Sequence, residues 1–138
     1  MRARAPEPIS VGLADKNPLI QAALKQLLSE DERFRLVHVA SGCEEFLWNV
    51  EENPVDVGVV GWVIGPCDGR IILDHLTTQK SQTRIIVYTG DENRTVPSQV
   101  MAHGGAGFVS KKEQPEVLLD TIAAVASGRM VFPYIDVR

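Results

Sequence analysis

Four side chains with reactive heads stand where apolar runs of the sequence end. Asp15 and Lys16 follow Ile9–Ala14, Thr89 follows residues 84–88 (RIIVY), and Lys111 follows Gly107–Ser110. Gly61 ends the most apolar run of all, residues 55–60 (VDVGVV), and brings no functional group. One carboxylate beside two ammonium groups and a hydroxyl can form ion pairs or hold a small anion. A hard cation such as Mg²⁺ needs several oxygen ligands, and these five positions supply few.

The remaining reactive residues are read as structural. No Asp or Glu lies between Val57 and Cys67. Asp56, at the start of its run, is five residues from the end, about 16 Å along an extended strand. Asp91 and Glu92, in the stretch after Thr89, are read as solvated loop acids. Cys43 and Cys67 have no Cys or His neighbour at metal-ligand spacing, so they are read as reduced, partly buried small hydrophobes without chemistry. His38, His75 and His103 share no spacing and are left unassigned.

The elements that must position these groups alternate. Ile9–Ala14 reads as a strand. Pro18 then opens a helical stripe carrying Leu19, Ile20, Ala23, Leu24, Leu27 and Leu28. Further strands are predicted over 34–39, 55–60, 84–88 and 107–110, and further helices over 44–52, 70–79, 95–103 and 115–126. Residues 65–69 are read as a loop, from Gly65, Pro66, Asp68 and Gly69. Five strands alternating with five helices make an α/β fold, a parallel sheet with right-handed crossovers and helices on both faces. Such sheets place their crevice at the carboxyl ends of the strands, and the five positions meet there if the order is 2-1-3-4-5.

Bulk properties narrow the classes. At 138 residues the chain accommodates one core. Its net charge of −4 offers no basic footprint for nucleic acid. No apolar run reaches the roughly 20 residues of a membrane span, and residues 1–8 (MRARAPEP) lack the apolar stretch of a signal peptide, so a cytoplasmic location is expected. Residues 1–8 are read as a disordered lead-in, 9–130 as the domain and 131–138 as the start of a linker.

Asp15-Lys16 after the first strand, Gly61 after the third, Thr89 after the fourth and Lys111 after the fifth stand at the places of the acid pair, carboxylate, Thr and Lys that mark the response-regulator receiver domain of two-component signalling, a CheY-like, flavodoxin-like fold that the chain resembles. LADKNP (13–18), RIIVYTG (84–90) and HGGAGFVSKK (103–112) give the resemblance the character of the NarL/FixJ/LuxR-type subfamily. In that family a third-strand Asp takes a phosphoryl group, Mg²⁺ bridges it to the acid pair, and the Thr and Lys contact the phosphoryl oxygens.

Aligned without gaps on DVGVVGWVIGPCDG (56–69), the resemblance puts Gly61 on the phosphoacceptor position and Lys16 on the second acid. It therefore implies a degenerate pseudo-receiver, with no catalytic residue, no enzyme activity, no cofactor and lost Mg²⁺ binding. Its remnant site is Asp15, Lys16, Gly61, Thr89 and Lys111.

Lys16 is read as a cation substitute paired with Asp15, Lys111 as a further partner of Asp15, and Thr89 as a cap of the following loop. Phe108 takes the place of the switch aromatic, and Trp62 is placed over the emptied crevice. The output implied is regulatory dimerisation or protein docking through the last helix and its neighbours. DNA contact is expected only through a C-terminal helix-turn-helix domain lying outside this chain. A receiver phosphorylated on an unconventional acid, and a pocket sensing a small anion at Lys16 and Lys111, are the alternatives.

Overall fold

A computed structural model describes residues 7–133. In chain order the elements are β1 (Ile9–Ala14), α1 (Pro18–Ser29), β2 (Phe34–Ala40), α2 (Cys43–Glu52), β3 (Val57–Val60), β4 (Val63–Ile64), β5 (Cys67–Asp68), α3 (Gly69–Thr78), β6 (Arg84–Thr89), α4 (Val96–Ala102), β7 (Gly107–Ser110) and α5 (Pro115–Ala126). The five long strands form one parallel sheet in the order β2-β1-β3-β6-β7, the predicted 2-1-3-4-5.

The apolar strands are explained by burial on both faces. Val57, Val59 and Ile86 pack with Leu24 and Leu28 of α1 and with Leu118 and Ile122 of α5. Val60, Ile85 and Val87 turn the other way, onto Phe46 of α2, Ile72 and Leu76 of α3 and Val100 of α4. Gly58 faces Phe46 so closely that a Cβ there would stand 2.7 Å from its ring and 2.7 Å from Ile85, so a larger residue would displace one or both side chains. At the lower end of the sheet Asp56 and Ser10 exchange hydrogen bonds. Ser10 N–H donates to the Asp56 carboxylate at 2.9 Å, and Asp56 N–H donates to the Ser10 hydroxyl at 2.8 Å.

Local chemistry sets the helix starts. Asn17 accepts from Leu19 N–H at 2.9 Å and Pro18 occupies the first turn of α1, where its missing N–H costs nothing. Asp68 caps α3 by accepting from Arg70 N–H at 3.1 Å. After α5 the chain returns to the sheet edge, where Val131 bridges Gly107 in parallel. Among the described residues no helix is long and apolar enough to cross a membrane.

The region read as a plain loop contains a small antiparallel hairpin, β4 against β5, turned at Gly65 with φ of +66°. A left-handed residue favours glycine, and two strands of two residues each are too short for a period to register in the sequence.

The hairpin overturns the reading of the cysteines as separate thiols. It carries Cys67 back to Cys43 at the start of α2, and the two form a disulfide with Cα atoms 6.5 Å apart. Spacing along the chain cannot reveal this pairing, because 24 residues and a turn of the backbone separate the partners.

Candidate functional site

Parallel register brings the five expected positions to one end of the sheet. Ala14 lies level with Val60, Val60 with Val87, and Thr89 with Ser110, so the residues that follow each strand emerge side by side. Two backbone bonds fasten the seam: Gly61 N–H donates to Ala14 carbonyl at 2.8 Å, and Lys111 N–H donates to Thr89 carbonyl at 2.9 Å.

Asp15 is the centre of the site. It is only 5% exposed, and burial of a carboxylate demands partners. One oxygen, Oδ1, accepts from Asn17 N–H at 2.9 Å, and the other, Oδ2, accepts from the Lys111 ammonium at 2.9 Å. Lys111 comes from 96 residues further along, its side chain 26% exposed, and its Nζ also lies 5.8 Å from the centre of the Tyr88 ring. Burial first, and the Asp15 charge second, push the Tyr88 hydroxyl pKa above its ordinary value of 10.0. The pair thus crosses the end of the sheet from β1 to β7.

Lys16 takes no part in it. Its side chain is exposed, and among the described residues it makes no ion pair within 4.0 Å. This corrects the expected Lys16–Asp15 pairing. Asp15 points into the site while its neighbour in sequence points out, and the inward cation is Lys111.

Gly61 sits beside Asp15 with room to spare. A Cβ at this position would lie 3.6 Å from Asp15 Oδ2 and 3.6 Å from Ile64 Cγ1, both ordinary contacts. Thr89 is buried and its hydroxyl accepts from Asp91 N–H at 3.1 Å, which orders the loop after β6. Asp91 in turn accepts from Asn93 N–H at 2.9 Å, and Glu92 pairs with Lys112, so neither acid reaches toward Gly61 by these contacts.

Phe108 is half-buried against the cluster under α2, α3 and α4, and its N–H donates to Val131 carbonyl at 3.0 Å. Trp62 was expected over the crevice. It packs instead into that same core cluster with its ring against Gly69, where a Cβ would come within 3.0 Å of Cε3. Alternation explains the difference: Gly61 and Trp62 are consecutive, so they leave the strand on opposite sides.

Further polar pairs lie on the rim and elsewhere on the molecule. Arg70 holds the Asp68 carboxyl below its ordinary 3.8, chiefly through the side-chain hydrogen bond at 3.0 Å. His103 Nδ1 lies 2.7 Å from Asp74, away from the site residues in sequence. His38 Nε2 lies 3.2 Å from Asn53 carbonyl, while its Nδ1 is buried without a partner. Among the described residues no three His, Cys, Asp or Glu side chains converge in a group able to hold a metal ion. The contributions of Asn17 and Tyr88 went unseen in the sequence. The Asn-Pro start of a helix could have signalled the first, whereas nothing in the sequence signals the second.

Comparison with known proteins agrees with this fold. The family described as "Response regulator receiver domain" matches residues 11–123. A probable transcriptional regulatory protein, SgaR of Hyphomicrobium methylovorum, is 36% identical over 129 residues; the alignment covers 94% of this chain and 61% of that protein.

Among solved structures, the signal receiver domain of the putative response regulator NarL from Mycobacterium tuberculosis superposes with a TM-score of 0.86 at 21% identity, covering 90% of this chain and 100% of that one. A structure of two RcsB dimers bound to two parallel DNAs gives 0.83 at 21% identity, covering 91% of this chain and 64% of that one. These two likenesses are likenesses of fold.

Replacing Lys111 by Met leaves a nearly buried carboxylate with one backbone donor. Discounted for the partial exposure of the lysine, the expected loss of stability is about 2 kcal/mol, read by urea unfolding. Asp15→Asn combined with Lys111→Met should recover part of that loss, because the double variant buries no unpaired charge. Additive losses would show that the two side chains do not interact.

Proposed function

Because the chain belongs to the response regulator receiver domain family, we propose that it is a receiver that signals without phosphorylation, its fold serving as a regulatory docking module. The observation that carries this reading is the Lys111–Asp15 ion pair beside Gly61. A receiver's phosphoryl chemistry needs a carboxylate nucleophile, and glycine at the end of β3 has none.

The residues present do not fit Mg²⁺. Asp15 is the single carboxylate at the crevice, and both its oxygens are engaged, by Asn17 N–H and by Lys111. The second acid of the family pattern is replaced by Lys16. Small, strongly hydrated Mg²⁺ demands near-octahedral oxygen ligation, which one neutralised carboxylate does not supply. With neither nucleophile nor metal, the state of the domain is set by its sequence and its partners.

The same pair disfavours the anion-sensing alternative, since Lys111 already has a counter-ion. Exchange with an anion would strand Asp15 in a buried position. An unconventional acceptor is disfavoured by the contacts of Asp91, engaged within its own loop, and of Glu92, paired with Lys112 of the loop after β7.

Docking is assigned to the face of α1 and α5, the two helices that cover one side of the sheet. Leu19 is 76% exposed in the first turn of α1 and Val117 39% exposed in the first turn of α5. SgaR is described as a transcriptional regulatory protein, and the RcsB structure contains dimers on DNA. By analogy this chain forms homodimers that arrange a DNA-binding domain elsewhere in the full protein, and the chain itself catalyses nothing.

Incubation with acetyl phosphate and Mg²⁺ is expected to leave the intact mass unchanged. Gly61→Asp alone is also expected to gain no phosphoryl group, since Lys16 stands where the family has its second acid and the crevice would still be one carboxylate short for Mg²⁺. A stable single phosphoryl gain by the unaltered chain would sink the proposal, and a gain by Gly61→Asp alone would show that the role of Lys16 is overstated. For docking, Leu19→Glu with Val117→Glu should convert a dimer to a monomer in sedimentation velocity. A dimer that survives both changes lies on another face.

A further inference from the structure

Cys43 and Cys67 lie on the rim of the site, and no role in receiver chemistry uses them. Cys43 is the first residue of α2, just beyond β2, whose terminal Ala40 carbonyl accepts from Asp15 N–H at 3.1 Å. Cys67 lies in the hairpin that begins two residues after Gly61. Their disulfide therefore ties the α2 side of the crevice to the segment that carries the degenerate acceptor position.

We propose that Cys43 and Cys67 are a reversible thiol–disulfide site, and that its oxidation state sets the position of the 63–68 hairpin beside Gly61 and Asp15.

Three observations make reversibility the better reading than a permanent staple. The first is access: Cys67 is partly exposed, whereas Cys43 is only 5% exposed, so a small thiol or disulfide reaches the pair through Cys67. The second is that both oxidation states are satisfied. In the bonded form the Cys43 sulfur already lies 3.7 Å from Asp68 carbonyl and the Cys67 sulfur 3.5 Å from Ile64 carbonyl, so each thiol released by opening the bond has an acceptor at hand. The third is that two continuous apolar clusters line both faces of the sheet, so the fold does not need a cross-link in the way that small, core-poor domains do.

The sulfurs also divide the labour of exchange. Cys43 opens a ten-residue helix whose cap, Gly42, offers no side-chain acceptor, so the free N–H groups of the first turn favour a thiolate there, against the opposing charges of Glu44 and Glu45. Oxidation by a low-molecular-weight disulfide runs in two steps. The Cys67 thiolate attacks one sulfur of the reagent, releasing one thiol and leaving a mixed disulfide. The Cys43 thiolate then attacks Cys67 Sγ and expels the second thiol. Two electrons and two protons pass from the cysteine pair to the reagent, and an excess of small thiol reverses both steps.

Release of the bond leaves the hairpin held by the Gly69 N–H to Trp62 carbonyl bond of 2.7 Å and by the packing of Trp62 on Gly69. The amide of Gly61 and the indole of Trp62 therefore report the change, whereas Leu118 and Ile122 lie on the opposite face of the sheet.

The test uses the folded chain in buffers of reduced and oxidised glutathione, quenched with acid, alkylated and weighed. The expected result is a single two-electron transition between a form that takes two alkyl groups and a form that takes none. The Gly61 amide and Trp62 indole resonances should shift between the two forms while those of Leu118 and Ile122 stay fixed. Cys43→Ser should form a glutathione mixed disulfide in the native state and Cys67→Ser should not, reflecting access through Cys67. The proposal is overturned by two reactive thiols at every buffer ratio, by a bond reduced only after unfolding, or by crevice resonances that are identical in both forms.

Discussion

A buried carboxylate must be answered, and the answer that Asp15 receives organises one end of this molecule. The sheet is covered on both faces, and at the carboxyl ends of its strands Asp15 is nearly withdrawn from water. Its two oxygens are met by Asn17 N–H from the same loop and by Lys111 from the far edge strand. The ion pair spans β1 to β7 over Gly61, and the lysine reaches it because Lys111 N–H is itself pinned to Thr89 carbonyl. The Tyr88 ring lies 5.8 Å from the same ammonium.

The same closure decides the chemistry. In a receiver with a full acid set, a lysine at this place has a phosphoryl oxygen to meet and the acids have a metal. Here the lysine and the remaining acid meet each other. Neutralising a partly buried charge pair in this way favours a single settled arrangement over one awaiting a ligand, because parting the two charges costs more than it would at an exposed surface. On the reading proposed above such a domain communicates through its surface, with Leu19 and Val117 the exposed apolar side chains of the α1 and α5 face and the cysteine tie on the other side of the sheet.

Much of this is legible in the sequence. Period-two and period-3.6 apolar patterns with proline at three helix starts gave the alternation of elements. Alternation plus continuous apolar strands gives the doubly covered parallel sheet, and the residue that follows each run places Asp15, Gly61, Thr89 and Lys111 together.

The failures share a cause, which is direction in space. Lys16 and Trp62 were placed correctly along the chain, yet each was assigned the wrong side, because adjacent residues leaving a strand diverge and only packing decides which turns inward. Cys43 and Cys67 were read as independent because their meeting depends on a hairpin of two-residue strands turned by Gly65 at positive φ, too short to leave a periodic trace.

The central claim is that the Lys111–Asp15 pair, beside Gly61, occupies the place that a metal and a phosphoryl group would otherwise share. A Mg²⁺ titration followed by backbone amide resonances measures this most directly. The account predicts that the amides of Lys16, Gly61, Thr89 and Lys111 stay unmoved through millimolar Mg²⁺. Saturable shifts centred on Asp15 would contradict it.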